Sequence, residues 1–455
     1  MKTYQDLLEV SENTQERIDF VKTVINEHKS SESFRTAETA DDYDRNQNKT
    51  IREYQKLLYT ISGKVVPDNY SANYKIPSRF FNRFVVQQVQ YLLGNGVTWG
   101  KPETEKVLGK DFDMRLQEVA KSSLIGGVAF GFFNLDHIEV FSLLEFAPLY
   151  DEENGALSAG VRFWQVSSDK PLRATLYELD GYTDYIWEEG TGRILNEKRS
   201  YKLKVESSEI DGDVIYDGEN YPSFPIVPLW GNPHKQSEII GIRESIDAYD
   251  LIKSGFANDL DDASQIYWTI QNAGGMDDVD LVKFVERMKT VKAAVIDEQG
   301  STAEAHTIEV PYNAREAVLN RIEKDLYRDY MALDTETIAS GATTATQIKA
   351  AYEPLNNKAD QFEGCIHDFL QGLLYVAGIE DEATFTRSLI VNVQEEIQTV
   401  IQAAVYLDAE YVTEKILTLL GDGDMVEEVL GDMDAESLDI MTNGEAEAEE
   451  TEEVV

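Results

Sequence analysis

Between Ile239 and Glu353 the chain spells a long amphipathic helix, a small mixed segment, a second long helix, a run of small residues and the start of a third helix. Two rods joined by a compact tip enclose no pocket. They suit a subunit that stands beside copies of itself. In the first rod, from about Ile239 to Ala263, Ile242, Ile246, Tyr249, Phe256 and Leu260 recur at spacings near three and four and are predicted to form its buried face. At about 1.5 Å per residue it reaches roughly 35–40 Å. The tip is predicted from a strand at 266–270 ended by Gly274-Gly275, a helix over 277–291 with an acidic first turn, and strands at 293–297 and 307–310. Asn313 is placed to cap the second rod, Ala314 to about Glu336, where Val318, Ile322, Leu326 and Tyr330 align every fourth residue. Small residues from Ile338 to Thr346 break it, and Pro354 predicts a kink in the third helix, from about Gln347 to Ala377.

The flanks read differently. Residues 1–60 are polar and helical in pattern, with a partial stripe of Leu7, Leu8, Ile18, Phe20, Val21, Val24 and Ile25. After Pro77, Ser78 is a candidate N-cap for a helix on which Phe80, Phe81, Phe84, Val85, Val89, Leu92 and Leu93 recur, stopping at Gly94-Asn95-Gly96. A second helix over 111–125 ends at Gly126-Gly127. From Val128 to Val227 the pattern changes to short strands at 130–133, 138–141, 161–166, 174–179, 185–187 and 201–205, separated by Gly and Asp turns. The Pro-studded run Tyr221 to Trp230 reads as a bridge to the helical part. Residues 381–441 read as helical and acidic, and the Glu-rich 443–455, with no Lys or Arg, as disordered.

Charge narrows the function. Lys+Arg number 41 against 84 Asp+Glu, a formal net charge of -43. Proteins that grip nucleic acid are usually basic, because affinity comes from neutralising phosphates. This surface repels DNA, which excludes a tight binder but not a passage through which DNA slides. The same charge opposes packing of identical subunits. The single Cys365 forbids an intrachain disulfide, which fits a reducing compartment. The opening MKTYQDLLEV lacks the apolar core of a signal peptide, and the most apolar run, Leu124 to Phe133, is half a membrane span, so a cytoplasmic chain with no membrane partner is expected.

No catalytic signature emerges, so no catalytic, cofactor or metal residue is assigned. The Gly94–Gly100 segment has the wrong spacing for a dinucleotide loop and reads as a turn, and no Gly-Lys-Ser/Thr follows Ser340-Gly341-Ala342-Thr343-Thr344. His28, His137, His234, His306 and His367 are scattered. Asp259, Asp261 and Asp262, and Gly421-Asp422-Gly423-Asp424, read as solvated acidic surface, with bound calcium as the sharper option. Phe163, Trp164, Tyr177, Tyr182, Tyr185 and Trp187 read as sheet packing before a sugar platform. Basic residues on the rods (Arg243, Lys253, Arg315, Arg321, Lys324, Arg328) read first as partners of Glu316, Glu323 and Asp325. The sharper reading has some of them lining a channel.

Several segments in order resemble the portal protein family of tailed bacteriophages, in particular of siphophages of Gram-positive hosts. They are Tyr74-Lys75-Ile76-Pro77 and Asn82 through Tyr91-Leu92-Leu93-Gly94; Pro225-Ile226-Val227-Pro228 followed by Ile246-Asp247-Ala248-Tyr249-Asp250 and Ser254 through Asp259; and Ser340-Gly341-Ala342 before a long helix. The resemblance spans roughly residues 60–380. It implies an α+β portal fold: an N-terminal helical arm (1–60), a β-rich and helical wing (61–238), a stem helix (239–264), a small α/β clip (265–312), a second stem helix (313–337), a tunnel loop (338–346), a kinked long helix (347–380), a helical crown (381–442) and the acidic tail (443–455).

The resemblance further implies a non-enzymatic homo-oligomeric ring, usually twelve-fold, at one capsid vertex of the virion, assembled in the host cytoplasm. Double-stranded DNA would pass through it transiently, without sequence reading, during packaging and ejection. Terminase and head-completion or adaptor proteins would dock at the clip, and major capsid and scaffold proteins at the wing. Ser340, Gly341, Ala342, Thr343 and Thr344 would form the DNA-channel loop, and Lys253, Arg315, Arg321, Lys324 and Arg328 the basic positions along the channel. The alternatives are a carbohydrate-active hydrolase using paired carboxylates and a non-catalytic capsid or adaptor component.

Overall fold

The computed structural model describes residues 1–10, 14–59, 63–68, 71–207, 214–263, 267–271, 283, 302–306, 311–336, 345–388, 393–421, 425–426 and 429–431. Internal contacts divide the chain into two units, Met1–Ala332 with Asn357–Arg387, and Leu333–Asn356 with Ser388–Val455.

In the first unit, helices α1 (Tyr4–Glu9), α2 (Thr14–Ser30), α3 (Glu32–Asp44) and α4 (Lys49–Glu53) come first. A hairpin of β1 (Leu57–Tyr59) and β2 (Val65–Pro67) leads to α5 (Phe80–Leu93), β3 (Val97–Trp99), α6 (Pro102–Leu108) and α7 (Phe112–Gly126). Then come β4 (Val128–Asn134), β5 (His137–Ser142), β6 (Phe146–Tyr150), β7 (Leu157–Trp164), β8 (Leu172–Glu178), β9 (Gly181–Glu188), β10 (Thr191–Arg199), β11 (Lys202–Ser207), β12 (Val214–Glu219) and β13 (Ile226–Trp230). Helix α8 (Arg243–Ala263), the hairpin β14 (Tyr267–Gln271) and β15 (Thr302–His306), and α9 (Tyr312–Tyr330) follow. Helix α10 (Ala345–Ala377) supplies residues to both units, and its helical assignment runs through Pro354 without a break. Strand β16 (Ala383–Phe385) closes the first unit; α11 (Val393–Ala403) and α12 (Ala409–Leu420) belong to the second.

Two antiparallel sheets organise the first unit. One has the order β10-β9-β8-β7-β6, the other β13-β4-β5. Alternation along β9 sends Thr183, Tyr185 and Trp187 inward, so one face must be covered. Helix α2 covers it with Ile18, Val21, Val24 and Ile25, all buried beside Val161, Leu176 and Tyr185. The larger core gathers α5, α7, the second sheet and Phe362, Ile366, Phe369 and Leu373 of α10. Gly131 lets this happen: a Cβ there would lie 2.6 Å from the Phe369 ring, so only a bare backbone lets the helix sit on the strand. Gly127 ends α7 in the left-handed region at φ 85°, where its missing side chain also admits the backbone of Gln236. Among the described residues no helix is long and apolar enough to cross a membrane.

Several expectations change. Ser78 is not a side-chain cap; α5 starts two residues later, and the Ser78 amide is used elsewhere. The Tyr221–Trp230 bridge contains a strand, β13, whose Pro228 is tolerated because β13 is the outer strand of its sheet. Residues 97–99 extend beyond a turn to form β3, which pairs with β16, so the region after 381 is not wholly helical. Strands β6, β10 and β12 were missed. Asn313 does not cap the second rod: α9 begins at Tyr312 and ends at Met331 in the left-handed region, five residues short of Glu336. The tip's helix at 277–291 and strands at 293–297 and 307–310 lie outside the described residues, apart from residue 283, as do 338–344 and the tail 443–455. Of the six aromatics weighed as a sugar platform, only Trp164 is exposed; the rest pack in or against the cores.

Candidate functional site

Helices α8 and α9 run antiparallel, joined at one end through the β14–β15 ladder. Phe256 meets Tyr312 edge-on at 5.8 Å, Arg315 pairs with Asp259, and farther along Phe80 bridges Tyr249 and Tyr327. The faces they bury are not those the apolar spacing predicted. Ile242, just before α8, and Ile246 on it are buried, but Phe256 is half-buried and Leu260 is 40 % exposed. On α9, Leu326 and Tyr330 are buried while Val318 is 45 % exposed.

What α8 buries along most of its length is polar: Asp250, Ser254 and Asn258. The cause is an extended strap, residues 74–78, lying along the helix. The Tyr74 amide donates to Asn258 Oδ1 at 2.6 Å, the Ile76 amide to Ser254 Oγ at 3.0 Å and the Ser78 amide to Asp250 Oδ1 at 2.8 Å. The periods match. Four helical residues advance about 6 Å, and two extended residues advance about 6.6 Å. Every second amide of the strap therefore meets every fourth side chain of the helix. Pro77, which has no N–H, falls on the parity that needs none.

The ladder is tied to the N-terminal helices. Asn48 Nδ2 donates to Asp250 Oδ2 at 2.6 Å, Thr50 Oγ1 donates to Asp247 Oδ2 at 2.8 Å, and the Tyr43 hydroxyl donates to the other Asp247 oxygen. Burial pushes the Asp250 carboxyl above its ordinary range, against the pull of Ser78 and Asn48.

The far end of α9 is held by Lys358 of α10. Its ammonium donates to Glu238 Oε2 at 2.6 Å and to the Tyr330 carbonyl at 3.0 Å, and lies over the Tyr330 ring. A cation thus satisfies a terminal carbonyl where the helix dipole favours one. The Tyr330 hydroxyl donates to Gln88 Oε1, joining α5 to the same point.

The basic residues proposed along the rods separate into kinds. Arg315 faces Asp259; Arg321 and Arg328 both face Asp325, at 2.7 and 3.6 Å, with side chains 73 and 71 % exposed. Arg243 faces Asp247 at 3.7 Å, and Lys253 sits over the Tyr249 ring. Lys324 is exposed. Carboxylates of the same copy thus partner four of the six. The small-residue positions Ser340, Gly341, Ala342, Thr343 and Thr344 lie outside the described residues. Among the described residues no three of His, Cys, Asp and Glu gather as a metal site. The strap and its polar stripe were missed. Their one signal was short polar residues at 250, 254 and 258, exactly one helical repeat of four apart.

Comparison with known proteins gives these elements a context. The portal protein of Clostridium phage phiCD119 is 29 % identical over 216 residues, 45 % of this chain and 47 % of that protein, so this match spans about half of the relative's length. The portal protein of Bacillus phage SPP1 is 24 % identical over 394 residues, covering 77 % of this chain and 74 % of that one. A solved chain from the neck of an empty gene transfer agent particle superposes with a TM-score of 0.44 at 12 % identity, covering 75 % of this chain and 90 % of that one. A family model described as phage portal protein, SPP1 Gp6-like, matches residues 25–439. The chain therefore belongs to the SPP1 Gp6-like family of phage portal proteins, and is a virion component and not an enzyme.

Proposed function

We propose that copies of this chain close into a ring, twelve-fold, at one capsid vertex, through which double-stranded DNA passes during packaging and ejection. The observation that carries the reading is the α8–α9 pair: two antiparallel rods, joined at one end by a hairpin, with acidic and basic groups left along their outer faces. A ring needs each subunit to offer two different complementary faces, and paired rods supply two long ones. In this reading α8 and α9 are the stem, residues 265–312 the clip and 338–346 the channel loop. The five-stranded sheet and its covering helices belong to the wing, and the region after 380 to the crown. Terminase and head-completion proteins dock at the clip, and capsid and scaffold proteins at the wing.

The net charge of -43 gives such a bore a repulsive wall, so DNA moves without adhering. Arg321 and Arg328, already facing Asp325, would touch phosphates weakly rather than hold them. Family membership removes the paired-carboxylate hydrolase from consideration. Negative-stain microscopy of the purified chain is expected to show rings with a central hole. Deleting Ser340–Thr344 is expected to leave those rings intact and to impair packaging. A compact monomer under every condition, including co-expression with shell proteins, would end the proposal.

A further inference from the structure

Helix α2 crosses the five-stranded sheet with its apolar side down, and its flank carries two lysines, Lys22 and Lys29, seven residues apart. Seven residues are two turns, roughly 10 Å along the axis. Lys22 stands 5.3 Å from the centre of the Trp187 ring, and Lys29 5.0 Å from that of Phe163. Phe163 is on β7 and Trp187 on β9, two strands apart and offset by two residues along the strand, a separation on the order of 12 Å. Each ammonium is seated on its own aromatic face. Between them and the β7–β8 and β9–β10 turns lies an open cleft.

The charges of this cleft are unevenly satisfied. At its rim Lys170 faces Asp169 at 3.5 Å and Arg193 faces Glu188 at 3.6 Å. Neither Lys22 nor Lys29 has a carboxylate within ion-pair distance among the described residues, in a chain with twice as many acids as bases. Burial, and then the neighbouring Lys22 charge, press the Lys29 ammonium below its ordinary range. Ring faces hold the two cations in place but do not neutralise them.

We infer that the cleft between α2 and the two hairpin turns is a docking site for an acidic, extended segment of a partner protein, with Lys22 and Lys29 each receiving one carboxylate. In a polyproline-II strand side chains three residues apart share a side and stand about 9 Å apart, which suits the spacing of the two lysines. The rim carboxylates favour a peptide over nucleic acid. A peptide offers N–H donors to Asp169 and Glu188 between its own acids, whereas a phosphodiester brings a charge at every nucleotide and would be repelled by them. The inference goes beyond the proposed channel and does not depend on ring formation.

The test uses the full chain and fluorescence anisotropy with three labelled probes: (Glu-Pro-Ala)4, whose alanines supply N–H donors between the acids, (Gln-Pro-Ala)4 and a twelve-nucleotide oligo-dT. The Glu peptide is expected to bind in a salt-sensitive manner and the Gln peptide not to bind. The double variant Lys22→Met and Lys29→Met keeps the aliphatic stems on the rings. It is expected to keep the wild-type circular dichroism and melting profile and to weaken Glu-peptide binding at least tenfold. Lys170→Met, which removes an already paired cation, is expected to change binding less than twofold. Absence of Glu-peptide binding, equal binding by the double variant, an equal loss in Lys170→Met, or preferential binding of oligo-dT would each overturn the inference.

Discussion

Helices α2 and α8 both lie against the body of the first unit, and they are held by opposite means. Helix α2 buries Ile18, Val21, Val24 and Ile25 on a sheet; α8 buries Asp250, Ser254 and Asn258 under a strap. Apolar burial is non-directional and roughly proportional to area, so it fixes that a helix is covered more firmly than where along its axis it sits. Hydrogen bonds carry a distance and an angle. A ladder of three, matched to the helical repeat, holds α8 at one axial position. Sliding by one residue would break every rung. A helix proposed to stand in a ring wall gains from that definition, since its neighbours must find it in register.

Swapping the polarity of one position in each region is the strongest way to break the comparison. Val21→Asp places an unpaired carboxylate where no solvent reaches, and is expected to cost about 4 kcal/mol or more. Asp250→Val leaves the Ser78 amide without its acceptor and the Asn48 amide group with the Ser78 carbonyl alone, and is expected to cost about 1–3 kcal/mol for the orphaned Ser78 donor. Urea denaturation gives both totals. Amide hydrogen exchange should place the second loss at residues 74–78 and along α8, leaving α2 protected. If Asp250→Val proves neutral, α8 is held by its few apolar contacts and the ladder adds nothing.

The two regions also differ in what the sequence made legible. The α2 stripe and the α5 run from Phe80 to Leu93 were readable because apolar residues at helical spacing report their own burial. The glycine stops at Gly94-Asn95-Gly96 and Gly127 were readable because the chain needs left-handed conformations at Gly96 and Gly127. The α8 face was misread by the same rule. Leu260 fits the spacing and is exposed, while Asp250, Ser254 and Asn258 look like surface and are buried. Their partners are backbone amides more than 170 residues away, and an amide leaves no mark in a side-chain pattern. The Pro-studded β13 was hidden for a related reason. Proline argues against a strand until the strand is known to be an edge.

Acid should separate the regions further, with a smaller effect than either swap. On α2, His28 is fully buried with Nε2 at 2.7 Å from the Leu143 carbonyl, and burial lowers its pKa below the ordinary 6.5. Its unfolded form binds a proton first as pH falls, so its stability contribution is present above pH 6.5 and is lost as pH drops toward the folded value. Asp250 is raised above the ordinary 3.8, so its folded form binds the proton first. The burial penalty it imposes is full above the folded value and is relieved as pH falls through it. His28→Gln should flatten the stability loss just below pH 6.5, and Asp250→Asn should remove a relief at lower pH. Denaturation midpoints of each variant against the wild type across that range would show slopes of opposite sign. Slopes of one sign would mean that these two groups do not govern the acid response of their regions.

The finest test concerns parity within the strap. If the rungs are the amides of 74, 76 and 78, then proline is acceptable at 77 and not at 76. Pro77→Ala restores an amide that nothing in the ladder requires, and its cost should come only from the freer unfolded chain, about 0.4–1 kcal/mol. Ile76→Pro deletes the donor to Ser254 Oγ. It should cost more than Pro77→Ala, and combining it with Ser254→Ala should add little, because donor and acceptor have then been removed together. A near-additive double variant would mean that the Ile76 substitution acts through the strap's backbone path and not through the rung. Equal costs for the two proline changes would remove the alternation, and with it the reason to think that α8 is held at one axial position.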